Sequence, residues 1–302
     1  MPGEEKARCF LCSGETVLFQ KADYNLDQVD AYGFSSRKVP EYMHYELREC
    51  RRCRVLIAVD APDPEELSTR YTEAAFDSQE EAGDASRTYF AYLQKNLPEF
   101  PRGRALDIGT GEGSYLRCLR QAGVREVVGV EPSAAPVQAA DASIRDAIRQ
   151  EMFQADRFEP ASFDMISCFQ TIEHISDPVA LVRDLYILLK DEGVVYVVCH
   201  DYRSVVNRLL GTRSPIYDIE HLQIFSRRSI EKLLADNGFQ DVQVFTLRNV
   251  YPLKYWARLF PMPMGWKRRL LSWLESAAVG QVKIGINVGN VGVIARKRSN
   301  KP

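Results

Sequence analysis

From Arg104 onward, short apolar runs alternate with longer stretches in which apolar residues recur every three or four positions. ALDIG (105–109), VVGVE (127–131), FDMISCF (163–169), VVYVVCH (194–200), DVQVFTL (241–247) and NVGVIARK (290–297) read as strands, with a weaker one over Ala147–Met152. Between them the helical period predicts helices over Tyr115–Ala122, Ala134–Ile144 and Val179–Leu189. A further helix, SRRSIEKLLADNGF, starts at Ser226 or Ser229 and is stopped by Gly238. Apolar strands spaced by helices need cover on both faces, so the pattern predicts an α/β fold with a doubly wound, largely parallel sheet.

Upstream the pattern changes. RVLIAVD (54–60) reads as a strand, and helices are predicted over Pro64–Tyr71 and Ala85–Leu97. Residues 55–100 carry ten Asp/Glu against three Lys/Arg, and Pro98–Gly103 punctuates the chain before the first strand of the large unit. This divides the chain into a module at 1–60, an acidic helical connector at 61–100 and a large domain at 101–302.

The first strand runs into LDIGTGEGSYL (106–116), with Asp107 at the strand end, then Gly109, Gly111 and Gly113, then a helix. Glycines there let the backbone turn tightly and approach a ligand closely. The spacing is G-x-G-x-G, not the G-x-G-x-x-G of the dinucleotide fingerprint. Glu131 ends the next strand, where a carboxylate can hold a ribose diol.

Cysteine usage points to a second feature. Of seven cysteines, Cys9/Cys12 and Cys50/Cys53 form two C-x-x-C pairs, while Cys118, Cys168 and Cys199 stand alone in apolar surroundings and read as core thiols. Two such knuckles present four thiolates, the donor set of a closed structural zinc site, and neither pair has the helix-start flank of a redox motif. Four sulfur ligands leave no open position, so Zn²⁺ here is expected to hold the fold and not to catalyse.

At 302 residues, 45% hydrophobic and 26% charged, the composition is that of a globular chain and excludes disordered or fibrous classes. No apolar run reaches the roughly 18–20 residues of a membrane span, and the start MPGEEKARCF lacks a signal-peptide pattern, so a cytoplasmic location is expected. The net charge of −2 hides an asymmetry: Arg248–Pro302 holds 11 Lys/Arg and one acid, Glu275. A basic tail on an acidic body suggests an anionic partner such as phosphate, a lipid surface or nucleic acid.

LDIGTGEG, VVGVEPS, SFDMISCFQTIEHISDP, LLKDEGVVYVV and EHLQIFSRRSIEKLLADNGF together resemble the class I S-adenosylmethionine-dependent methyltransferases, over about Leu93–Phe239. The resemblance implies a Rossmann-like seven-stranded sheet that binds S-adenosyl-L-methionine. It implies that Gly109 and Gly111, with Gly113 completing the turn, pack against the methionine and ribose part, that Asp107 anchors the amino group and that Glu131 binds both ribose hydroxyls. Adenine is expected near Met152 and Phe153, with Asp156 as the rival, and Phe169 and Gln170 under the sulfonium. HYELRECRRC followed by PDPEELSTRY is similar to the zinc-binding module of bacterial deoxysugar C-methyltransferases. Those enzymes carry a further C-terminal domain for which this chain has no room, which favours oxygen or nitrogen over carbon as the methyl acceptor.

For the acceptor, His174, His200 and His221 fall on segments that can line the ligand crevice, and His221 and His200 lead as candidate bases; His44, inside the cysteine module, reads as structural. The connection Asn249–Asn287 is nearly forty residues long where a tight hairpin is usual. Its helix WKRRLLSWLESAAVG places Trp266, Leu270, Trp273, Leu274 and Ala277 on one face. It reads either as a helix packed on the body or as a basic aromatic lid, with Lys254, Arg258 and the 267–269 triplet, over a phosphate-bearing or lipid-linked acceptor, or against a membrane surface. The leading expectation is a methyltransferase acting on a sugar or related small molecule. The alternatives are an RNA methyltransferase aided by the zinc module, and a non-catalytic scaffold.

Overall fold

The computed structural model describes residues 8–25, 29, 33–34, 42–76, 79–260 and 262–299. The chain's first residues, much of the segment between the knuckles, Pro261 in the long connection and Lys301 of the basic tail lie outside them.

In the module, β1 (Thr16–Gln20), β2 (Leu47–Cys50) and β3 (Leu56–Ala58) form an antiparallel sheet. The strand expected over 54–60 is only three residues long, because Arg54 takes a left-handed φ of 62° to close the second knuckle. Two helices follow: α1 (Pro64–Thr72), capped by Asp63, and α2 (Gln79–Asn96), which starts six residues before the predicted helix.

The large unit begins with β4 (Arg104–Ile108), α3 (Ser114–Gln121) and β5 (Glu126–Val130). The single helix expected over 134–144 is two, α4 (Ala134–Ala139) and α5 (Ala142–Arg145). Asp141 breaks it: its carboxylate accepts from the Ser143 amide at 2.8 Å and starts a new helix in place of continuing the old one. The weak strand shrinks to β6 (Ile148–Arg149). Then come β7 (Phe163–Phe169), α6 (Pro178–Leu188), β8 (Leu189–His200), α7 (Val205–Leu210), β9 (Gln223–Ile224), α8 (Arg227–Asp236) and β10 (Gln240–Thr246). At α8, Ser226 caps and Ser229 reciprocates as the third helical residue, so both candidate serines take part. The long connection consists of β11 (Asn249–Pro252), α9 (Leu253–Leu259), α10 (Met264–Ser276) and β12 (Lys283–Ile286), and β13 (Asn290–Arg296) closes the chain.

The central sheet has seven strands in the order β10-β13-β8-β7-β4-β5-β6, with β13 antiparallel to both neighbours. Alternate residues of β8 feed two cores. Val195, Val197 and Cys199 pack with Leu181 and Leu185 of α6 and Ile230 and Leu233 of α8. Val194, Tyr196 and Val198 pack with Tyr89 and Leu93 of α2 and Leu116 and Leu119 of α3. Cys168 and Cys199 are buried core thiols as expected, whereas Cys118 is half-buried. The strand ends at Ile108, Val130, Phe169 and His200 therefore share one edge, and the β11–β12 stalk leaves from the same edge, since Asn290 pairs with His200.

The module is joined to this unit by β9, which extends its sheet as a fourth strand: Leu56 pairs with Ile224, and the Ala58 amide donates to the Leu222 carbonyl at 2.8 Å. Cys9, Cys50 and Cys53 continue the apolar core that contains β7 and β8.

The long connection is tied down by charge. Lys254 pairs with Glu80 (3.2 Å), Arg258 with Glu81 and Glu275 (3.5 Å each), and Lys283 with Asp84 (2.5 Å), so α2 holds the stalk and α9. Arg298 pairs with Glu192 and Asp241 at the far end of the sheet. Four cations of the basic tail are thus neutralised by acids within the chain. Lys254 and Arg258, expected to dock an anionic acceptor, are instead spent on α2.

Candidate active site

The glycine turn follows β4 with left-handed φ at Gly109 (71°) and Gly111 (57°), which glycine adopts without the strain of a Cβ. Their roles differ. A side chain at Gly109 would collide with Thr171, so this glycine lets the loop after β7 close on the turn. One at Gly111 would meet nothing within 4 Å, which leaves its backbone open to a ligand. Gly113 packs against Ile144 and Ile148 at the start of α3.

Three carboxylates surround that opening. Asp107 is buried and accepts from the Ser167 hydroxyl (2.6 Å) and the Thr110 hydroxyl (2.8 Å). Glu131 accepts from the Gly111 amide (2.9 Å) and the Ser133 amide (3.0 Å). Glu112 accepts from the Ser114 hydroxyl. Burial pushes Glu131 up to about 7 and Asp107 up to about 6, against hydrogen bonds that favour their ionised forms. A cationic amino group and a ribose diol are the partners this acidic cradle lacks, and the exposed backbone at Gly111 gives them a way in. The residues fit the cofactor that the resemblance implies.

Of the residues expected near adenine, Met152 is exposed and Phe153 half-buried, stacked 6.1 Å from Phe158, while Asp156 sits exposed in a short 3-10 turn. At the end of β7, Phe169 packs between Tyr89, Tyr115 and Tyr196 with ring centroids 4.6–4.9 Å apart. Gln170 follows at φ 52°, and both polar atoms of its amide are buried without a partner among the described residues.

At the same edge, two histidines meet a buried carboxylate that the sequence analysis did not single out. Glu173, fully buried, accepts from His200 Nδ1 at 3.0 Å and from the His200 amide at 2.9 Å. Burial alone would raise this carboxyl, but the charge and hydrogen bond of His200, helped by His221 and His174, outweigh it and hold Glu173 down to about 2. The bond fixes the tautomer: Nδ1 carries the proton, and Nε2 offers a lone pair at the sheet edge. The signal available in sequence was Glu173's place in EHISDP, beside the more conspicuous His174.

The other histidines have different duties. His174 Nδ1 donates to the Glu220 carbonyl at 2.9 Å, which also accepts from the Tyr71 hydroxyl, so His174 latches the two loops. His221 is buried, its ring centroid 5.1 Å from that of His200, and burial lowers it well below the ordinary range. His44 bridges the Tyr45 carbonyl and the Gln20 amide inside the module, as its structural reading requires.

The four knuckle sulfurs converge, with Cys9–Cys53 at 3.4 Å and Cys12–Cys50 at 3.5 Å and all within 4.8 Å of one another. Both knuckles close in the same way. The amides of Ser13 and Arg54, each in left-handed conformation, donate to the carbonyls of Cys9 and Cys50. This spacing suits one tetrahedral ion with metal–sulfur bonds of about 2.3 Å, and the residues fit zinc.

Residues 81–244, more than half of the chain, match the family described as a methyltransferase domain. Among similar proteins, the ubiquinone biosynthesis O-methyltransferase of Neisseria meningitidis serogroup C is 32% identical over 101 residues, 31% of this chain and 42% of that one. The protein of that name from Pasteurella multocida is 29% identical over 135 residues, 40% of this chain and 53% of that one. The matches thus span about half the length of these relatives. A solved complex between the Haloferax volcanii Trm112 methyltransferase activator and a methyltransferase contains a chain with TM-score 0.52 and 16% identity, covering 79% of this chain and 97% of that one. That likeness shows a shared fold.

Proposed function

The chain belongs to the methyltransferase-domain family, and on that premise we propose that it transfers a methyl group from S-adenosylmethionine to a hydroxyl of a small molecule, with His200 as the base. When bound, S-adenosylmethionine supplies a methyl group already activated by its sulfonium. The chain's residues do the rest. Asp107, the Gly111 backbone and Glu131 hold amino group and ribose, with Met152 and Phe153 flanking the adenine. Gln170 and Phe169 line the reacting end. His200 Nε2 takes the hydroxyl proton as the oxygen–carbon bond forms, and Glu173 stabilises the resulting imidazolium.

The single observation that carries the oxygen acceptor is the Glu173–His200 pair, at 3.0 Å, on the edge that the glycine turn shares. The O-methyltransferase names borne by the relatives agree in reaction class. Those names concern ubiquinone biosynthesis and give no support to the sugar acceptor expected from the resemblance, so the acceptor is defined here only by its ionisable hydroxyl. The RNA reading loses support, because four of the tail's eleven cations, Lys254, Arg258, Lys283 and Arg298, are paired with acids of the chain itself. The test is transfer of label from methyl-labelled cofactor to a panel of phenols, catechols and sugars. Label on oxygen is the expected result; failure of the protein to bind the cofactor in calorimetry would overturn the reading.

Glu131 supplies a sharper check. Glu131→Ala removes a charge-assisted acceptor and is expected to weaken cofactor binding by about 1.5–3 kcal/mol, roughly 10- to 100-fold. With Glu131 at about 7 and Asp107 at about 6, affinity should also fall as pH drops through 7 towards 6, where each carboxylate gains a proton. Stability of the free protein should move the opposite way. Raised carboxyl groups favour the fold while protonated, so their contribution is present below the ordinary values, 4.5 and 3.8, and lost as pH rises through about 6 and 7. Calorimetric affinity that stays flat across this window would show that the carboxylates do not hold the ligand.

A further inference from the structure

The α10 helix does not bury the apolar face that one of its two sequence readings packs on the body. Only Leu274 is buried; Trp266 is 74% exposed and Trp273 57%, although they lie two turns apart on one side of the helix. Phe260, after α9, adds 58% exposure and Met264, the first residue of α10, 66%. Four large apolar side chains on a short excursion are far more than scattered surface hydrophobics require. From Phe260 to Leu274 the sequence FPMPMGWKRRLLSWL contains no acid. Arg268 and Arg269 have no acidic partner among the described residues, in contrast to Lys254, Arg258 and Lys283 on the same excursion. With Gly265 and Trp266 these two arginines line an open groove.

A second element repeats the feature. Val205 and Leu209, one turn apart on α7, are 74% and 81% exposed. The α7 segment follows β8 directly, and Gly289 at the foot of the stalk packs against Ser204 and Asn207, so α7 and the excursion leave the same edge of the sheet.

We propose that this edge docks on the surface of an anionic lipid bilayer, with Trp266, Trp273, Met264 and Phe260 entering the interface and Arg268 and Arg269 meeting lipid phosphates. Tryptophan is suited to the headgroup boundary, since its ring is apolar and its N–H can stay wet. Arginines beside it add attraction to anionic headgroups, and a bilayer offers both chemistries continuously along a surface. A protein partner would have to supply matched acids and apolar sockets at each point. The docking is peripheral, since no helix among the described residues is long and apolar enough to cross a membrane. It also stands apart from the methyl-transfer reading, because none of its residues belongs to the cofactor cradle or the histidine cluster.

The test is co-sedimentation of the full chain with vesicles of phosphatidylcholine, with and without phosphatidylglycerol, together with tryptophan fluorescence. Binding to the phosphatidylglycerol vesicles, a blue shift in emission and release by salt are expected. Replacing both arginines by alanine should weaken partition by about tenfold or more. Trp266→Ala with Trp273→Ala should abolish the blue shift, while cofactor affinity stays unchanged in both variants. Absence of binding to phosphatidylglycerol vesicles would overturn the proposal. So would self-association in solution that Trp266→Ala abolishes, which would assign the face to a second copy of the chain.

Discussion

His200→Gln is expected to lower kcat by about 10²–10⁴-fold while leaving cofactor affinity within a factor of two or so. The size follows from losing the only histidine whose ring is both oriented by a buried carboxylate and open at the sheet edge. His221 is too deeply buried to hold a proton easily, and His174 is committed to the Glu220 carbonyl. Glu173→Gln should give a smaller fall in kcat, because the amide still orients the ring through its oxygen but no longer stabilises the imidazolium. As a positioning residue, Glu173 is best read from a split between parameters: in Glu173→Gln kcat should fall while the acceptor's KM and cofactor affinity stay nearly unchanged. Steady-state kinetics with an identified acceptor, run alongside calorimetry, separates the two roles. Unchanged kcat in His200→Gln would leave alignment alone to account for catalysis.

Loss of the cysteine site should have the second large effect. The protein is expected to carry one zinc, and Cys50→Ser or chelation should lower Tm by on the order of 10 °C or more, since structural zinc binding is folding free energy. The damage should not stay local. The β3–β9 pairing carries the module's sheet into the segment before α8, and the Leu222 amide donates to the Glu173 carbonyl at 2.9 Å. The Gln223 side-chain amide donates to the Ile172 and Ile175 carbonyls. A metal held by the four cysteines would thus brace, through β9, the loop that aims Glu173 at His200. Partial removal of zinc should therefore reduce kcat before cofactor binding fails, as metal analysis paired with activity and calorimetry can record. Zinc-free purified protein whose Tm is indifferent to chelator would refute the site.

The parts that were legible in sequence were those whose cause is local. The alternation of apolar strands and capped helices follows from periodicity, and the order in which they occur points to a largely parallel, doubly wound sheet. The glycines of the turn betray themselves because left-handed backbone, as at 109 and 111, favours glycine. The knuckles do so because two cysteines three apart can share an ion only through a tight turn. Boundaries failed where a short polar side chain intervened, as Asp141 did in the helix after β5.

Tertiary structure alone decided the rest, because it concerns which distant segments meet. Glu173 and His200 are partners because β7 and β8 lie side by side and end on one edge, a fact of crossover order that no local spacing encodes. The same holds for charge. In sequence the basic tail invites an anionic ligand, yet α2 lies under the stalk, and its acids take Lys254, Arg258 and Lys283 out of play. Helical period put Trp266, Trp273 and Leu274 on one side of α10, but it cannot say whether anything packs there. The fold covers Leu274 and leaves both tryptophans to the solvent, since Coulombic pairing holds the excursion by its stalk and α9 and not by that face.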